Sequence, residues 1–180
     1  PWGRGGYEYS LTPGSEATVF TMHARSQNQQ PYRFGVTICY EDVIPQIFRR
    51  FVADADGHKR VDFMVNISND GWFGHGTQQA QHLANCAFRA IENRVGVARA
   101  VNTGISGFIN PNGSWYNLAG ASSTDPRVGG EGVRTDRVKI DGRVTFYSRF
   151  GDVFALLCGL ASVVSMGDGL RHWWRNRPPR

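Results

Sequence analysis

Cys39 stands where the alternating segment Phe34-Gly-Val-Thr-Ile38 meets Tyr40 and the acidic pair Glu41-Asp42. A thiol at the end of a strand can serve as a nucleophile through its thiolate, the form that a helix amino terminus or a nearby cation favours. The adjacent carboxylates act in the opposite sense, so an activating base or cation has to come from elsewhere in the fold. The same local pattern also fits a buried packing cysteine beside acids that open a helix. Chemistry at Cys39 therefore depends on what the neighbouring elements bring to it.

The apolar and glycine pattern predicts those elements. Phe34, Val36 and Ile38 alternate with Gly35 and Thr37 as in a strand, and Pro45 suits the first turn of a helix through Ile47, Phe48 and Val52. From Val61 a second apolar strand runs through Asn66 to Asp70, then breaks into a loop holding Trp72 and Phe73 between glycines. Large aromatics on a loop commonly contact a ligand, so Trp72 and Phe73 are candidate substrate-binding residues. Ala80, Leu83, Ala84, Ala87, Phe88 and Ile91 keep helical spacing, followed by strands at Val95 to Val101 and Ile105 to Ile109. The latter ends in Asn110-Pro-Asn-Gly113, a hairpin signal. Asp70, His75 and His82 are expected to be surface residues of loop and helix, and no motif singles out a histidine as base for the cysteine. Ser122 to Gly132 reads as a surface loop, and Gly132 to Thr145 as strands.

Together these segments resemble the nitrilase, or carbon-nitrogen hydrolase, superfamily, and most closely its membrane-bound branch, the apolipoprotein N-acyltransferases. The resemblance rests on Ile38-Cys39-Tyr40-Glu41, on Asn66 through Asp70 to Gly74, on Arg89-Ala-Ile-Glu92-Asn-Arg94, and on Asn102-Thr-Gly104-Ile-Ser-Gly107 with Pro111-Asn-Gly113. It implies an α/β fold, the carboxyl-terminal part of a nitrilase-like αββα sandwich followed by a terminal transmembrane helix. Residues 1–149 would belong to the catalytic domain, 150–170 to the membrane helix and 171–180 to a basic cytoplasmic tail.

What the resemblance implies about chemistry is a cysteine nucleophile, Cys39, supported by Tyr40 and Glu41, with Trp72 and Phe73 gating lipid entry. A glutamate base and a lysine that stabilises the oxyanion complete the family's machinery. No lysine precedes Cys39, and Glu8 and Glu16 lie in no family motif. With Pro1 as its first residue the chain is read as a carboxyl-terminal fragment, inactive alone. The implied partners are a phospholipid acyl donor, an apolipoprotein acceptor and the bacterial inner membrane, with the catalytic domain periplasmic and the carboxyl terminus cytoplasmic. No cofactor or metal is expected. Two alternatives stay open: a soluble amidase or nitrilase that uses water as second nucleophile, and a binding module that keeps the fold without the reaction.

Composition narrows the classes. A chain of 180 residues, 41% hydrophobic and with 22 glycines, suits a loop-rich α/β domain. Cys39, Cys86 and Cys158 have neither zinc spacing nor an even count, and Cys86, among helix alanines, reads as packing. The net charge of +5 suggests nucleic acid until its distribution is read: Arg171, Arg175, Arg177 and Arg180 supply four of the charges. No nucleic-acid motif accompanies them. The basic tail follows an uncharged run from Val153 to Met166, short for a membrane span. Trp173 and Trp174 as interface anchors, with arginines beyond, favour the membrane reading over a buried helix.

Overall fold

The computed structural model describes residues 14–23, 30–73, 77–119 and 131–177. Six strands form one sheet in chain order: β1 (Val19–His23), β2 (Pro31–Ile38), β3 (Phe63–Asn69), β4 (Gly96–Asn102), β5 (Ser106–Ile109) and β6 (Trp115–Ala119). β2, β3 and β4 are parallel, and β1, β5 and β6 extend the sheet antiparallel at its edges. Helix α1 (Pro45–Val52) connects β2 to β3, and α2 (Gln78–Asn93) connects β3 to β4. Loops at the carboxyl ends of parallel strands are where α/β sheets place their sites. Cys39, Asp70 and Thr103 each immediately follow such a strand.

Pro45 begins α1, because a proline at the first helical position loses no intrahelical hydrogen bond. Arg94 ends α2 in the left-handed conformation, φ 50°, and its N–H is accepted by Ala90 and Ile91 carbonyls. The hairpin predicted at Asn110–Gly113 is present: the Gly113 N–H donates to the Asn110 carbonyl at 2.8 Å, and Gly113 has φ +84°. Only a glycine takes that backbone conformation without cost.

Both helices pack on one face of the sheet. Phe48, Val52, Met64, Leu83, Cys86, Ala90, Val97 and Ile109 form the core between them, each no more than 3% exposed. The Cys86 thiol is wholly buried and burial pushes its pKa up to about 12, as a packing residue requires. The opposite face is a half-exposed apolar surface on which the Phe20, Phe34 and Phe63 rings stack at 5.4 and 5.2 Å.

The stretch from 131 to 145 contains no strand, contrary to the reading of Gly132 to Thr145. Its carbonyls are taken by side-chain donors instead of a ladder: Tyr116 Oη donates to Arg137 O at 2.6 Å, and Asn117 Nδ2 to Thr135 O at 3.3 Å. Lys59 Nζ lies within 3.2 Å of four carbonyls, Asp141 O and Arg143 O as well as Asn93 O and Arg94 O, and its three N–H groups, shared among them, staple this segment to the end of α2. Most of Ser122 to Gly132 lies outside the described residues.

After α3 (Phe146–Phe150) the chain enters α4, Val153–Arg175, a helix of 23 residues that is long and apolar enough to cross a membrane and has none of its apolar window buried. At its end the Arg177 guanidinium sits 3.5 Å from the Trp173 ring centre.

Candidate active site

Cys39 has φ 51°, a left-handed backbone that costs a residue with a Cβ about 1 to 2 kcal/mol. Such strain persists only where surrounding contacts over-determine it. Three of them are visible. The Ile38 N–H donates to Glu41 Oε2 at 2.8 Å, Asn66 Nδ2 donates to the Cys39 carbonyl at 3.4 Å, and Arg89 Nη1 donates to the Val43 carbonyl at 3.2 Å. The 3-10 turn Cys39–Val43 is thus held at its start, its first carbonyl and its end.

The side chains beneath the turn come from strand register. Thr37, Asn66 and Arg99 are aligned across β2, β3 and β4, on the same face as Gly35, Met64 and Val97. This polar row lies on the core side, and all three residues are buried. Asn66 Nδ2 donates to Thr37 Oγ1 at 3.2 Å, and Arg99 Nη1 donates to Asn66 Oδ1 at 2.6 Å. Buried polar groups of this kind have to be satisfied, and here they satisfy one another.

Arg99 leads to a ring of four ionisable side chains. Its Nη1 lies 2.7 Å from Asp42 Oδ2 and its Nη2 lies 3.4 Å from Asp70 Oδ2. His82 takes the other two oxygens, Nε2 on Asp42 Oδ1 at 2.7 Å and Nδ1 on Asp70 Oδ1 at 2.9 Å. Burial alone would lower the His82 pKa, but its hydrogen bonds to Asp42 and Asp70 push it up to about 9. The imidazole is therefore a cation at neutral pH, with each ring N–H donated to a carboxylate, and two positive charges balance two negative ones. Burial opposes ionisation of Asp70, yet hydrogen bonds from His82 and Ser68 hold its carboxyl below the usual range.

His82 and Asp70 are thus corrected from surface to interior: they are 8% and 0% exposed, because ion pairing offsets the cost of burial that predicts exposure for lone charges. His75 lies outside the described residues. With both nitrogens engaged, His82 is not arranged as a base for Cys39.

Cys39, Tyr40, Val43, Gln78, Gln81, His82 and Asn85 line a cavity of about 270 Å³ that opens at the carboxyl edge of the sheet. Tyr40 is 62% exposed at its rim, and Glu41 turns to the Ile38 amide. Trp72, in the 3-10 turn Asp70–Phe73, is 74% exposed; the Phe73 side chain lies outside the described part of the structure. Neither Lys59 nor Lys139 lines this cavity, and Lys59 is committed to its four carbonyls. Sequence reasoning named Cys39, Tyr40, Glu41, Trp72 and Phe73 as candidates and did not foresee the buried network of Asp42, Asn66, Asp70, His82 and Arg99 beneath them.

A mixed α/β sheet, parallel at its centre, thus carries a left-handed cysteine at a strand's carboxyl end above a buried polar row. The chain belongs to the carbon-nitrogen hydrolase family, whose sequence profile matches residues 2–126. It is similar to apolipoprotein N-acyltransferase of Chlorobaculum tepidum, 34% identical over 163 residues, covering 90% of this chain and 28% of that protein. It is also similar to apolipoprotein N-acyltransferase of Geobacter metallireducens, 35% identical over 132 residues, covering 73% of this chain and 23% of that protein. The chain therefore spans about a quarter of the length of these relatives. Among solved structures it resembles Saccharomyces cerevisiae Nit3, a nitrilase-superfamily member, with TM-score 0.44 and 22% identity over 61% of this chain and 38% of that one.

Proposed function

We propose that this chain carries the nucleophile of an apolipoprotein N-acyltransferase, and that Cys39 is that nucleophile. The observation that carries the reading is the Cys39 turn itself: a left-handed cysteine, held at three points, facing a cavity at the carboxyl edge of the sheet. The names of the relatives supply the reaction class.

In this reading the Cys39 thiolate attacks the ester carbonyl of a phospholipid. The tetrahedral oxyanion collapses, the C–O bond breaks, and the lysophospholipid leaves as an alcohol after taking a proton, while the acyl group stays on sulfur as a thioester. The amino group of an apolipoprotein's diacylglyceryl-cysteine then attacks the thioester, gives up a proton, and releases the amide and the thiolate. Backbone N–H groups at Cys39 and Tyr40 are the candidate oxyanion donors in this segment. The glutamate base and the oxyanion lysine of the family would come from residues beyond these 180. The open apolar face carrying Phe20, Phe34 and Phe63 is where the second sheet of an αββα sandwich would pack.

A membrane setting is supported by α4, whose apolar side chains are exposed throughout, with the Trp173, Trp174 and Arg177 cluster at one end. We place this end in the bacterial cytoplasm and the Cys39 domain in the periplasm. Tyr40 supports the cavity rim, Glu41 orients the Cys39 turn, and the Trp72-Phe73 turn gates the lipid chain. The test uses the natural polypeptide that contains these residues, in detergent with phospholipid and a diacylglyceryl-cysteine peptide. The expected product is the N-acyl peptide, lost on Cys39→Ala. Release of free fatty acid at the same rate with or without the peptide would instead identify a hydrolase with water as second nucleophile.

A further inference from the structure

His82 reaches from α2 to both turns of the site at once. Its Nε2 holds Asp42, inside the turn that begins with Cys39, and its Nδ1 holds Asp70, the first residue of the turn that contains Trp72. The second oxygens of the same two carboxylates meet on Arg99, which is itself fastened to the sheet through Asn66 Oδ1 and the Ile105 carbonyl. One side of this ring is anchored to the strands through Arg99. The other side, His82, is a wall of the cavity that Cys39 lines.

We propose that His82 is a positioning residue that couples the Trp72 turn to the Cys39 turn, so that a displacement at one is felt at the other. This rests on the reading of Cys39 as nucleophile and Trp72 as part of the substrate gate. The physical reason is that neither carboxylate can move alone. Asp42 and Asp70 are both fully buried, each divides its two oxygens between the same two cations, and leaving one of those cations would strand a buried charge. On the Trp72 side the Ser68 hydroxyl also donates to Asp70 Oδ1 at 2.7 Å, and the Gly71 N–H donates to Asn69 Oδ1 at 3.1 Å. A substrate chain seated at Trp72 would shift Asp70, and the ring would carry that shift to the Cys39 turn.

A double-mutant cycle tests this on the natural polypeptide in detergent, with Asp70→Asn, His82→Gln and the pair. The readout is the rate at which iodoacetamide alkylates Cys39, followed by peptide mass mapping, with unreactive Cys86 certifying that the core is intact. Asp70→Asn is expected to change the Cys39 rate on the order of tenfold although the polar partners of Asp70 seen here are His82, Arg99 and Ser68, none in the Cys39 turn, and to add nothing further in the His82→Gln background. An unchanged Cys39 rate in Asp70→Asn, or two effects that simply multiply, overturns the coupling. Should Cys86 become reactive in a variant, Ser68→Ala replaces Asp70→Asn and is read by the same two outcomes. Alkylation needs no acyl donor, so coupling can be found in a protein that transfers no acyl chain. Conversely, a thioester formed in an uncoupled protein removes only the role of His82.

Discussion

The Asp42 carboxylate lies 2.7 Å from the Arg99 guanidinium, and neither side chain has any exposed surface. Such a pair contributes little beyond an apolar substitute when both members are present, but removing one strands the other. Arg99→Met is therefore expected to destabilise the fold by about 3 to 5 kcal/mol, since it leaves Asp42 and Asp70 with one cation between them. Urea denaturation of the wild type and the variant checks this, and a loss below about 1 kcal/mol would mean that water or backbone groups replace the guanidinium.

The left-handed backbone at Cys39 gives an inverted order of stabilities. Cys39→Gly is expected to be more stable than Cys39→Ala by roughly 1 kcal/mol, although glycine is ordinarily the less favourable of the two in a folded chain. Comparing thermal midpoints of the two variants decides it. Alanine proving equal or better would show that the turn relaxes once the sulfur is gone.

His82 sets a pH dependence whose sign follows from its folded-state pKa. That value, about 9, lies above the ordinary 6.5, so the folded protein holds this proton more tightly than the unfolded chain. The stabilisation is full below pH 6.5 and is lost as pH rises toward 9. Asp70 works in the opposite sense, its contribution present above the usual carboxylate range and lost in acid. Burial brings Lys59 down from 10.5 to about 8, so stability gained by its deprotonation above pH 8 partly masks the loss at His82. The difference between wild type and His82→Gln, measured by urea titration at pH 6, 7.5 and 9, removes the Lys59 contribution. The difference should shrink steadily across that series.

Gly104 has no room for a side chain: a Cβ there would stand 2.4 Å from Val101 Cγ1 and 2.7 Å from Asp70 Oδ2. Gly104→Ala is expected to cost about 1 to 3 kcal/mol and to push Asp70 out of line with Arg99 and His82. If the displacement of Asp70 matters as argued, the Cys39 alkylation rate changes in the same variant. A loss of stability with an unchanged rate would separate packing from positioning.

Elements carried by local pattern were legible in the sequence. The strand ending at Ile38, the proline start of α1, the periodic stretch of α2 and the Asn110–Gly113 hairpin each follow from neighbouring residues. The ring was not legible as a ring, because its members come from four separate segments and each looks solvated when taken alone. Two signals were nevertheless present. Arg99 shares a strand face with Val97, and His82 falls on the same helical stripe as Leu83, Cys86 and Ala90, so both positions point to the core. Between Gly132 and Thr145, branched residues suggested strands, yet the backbone there is satisfied by Lys59, Tyr116 and Asn117, partners that no local window contains.

Covalent capture of an acyl group by Cys39 is the step on which the functional account depends. Intact-mass spectrometry of the natural polypeptide that contains these residues, purified from its membrane with lipids, measures it directly beside Cys39→Ala. The account predicts a mass increase of one fatty acyl group, removed by hydroxylamine and absent from the alanine variant. No such adduct after added phospholipid, or an adduct that persists in Cys39→Ala, would contradict it.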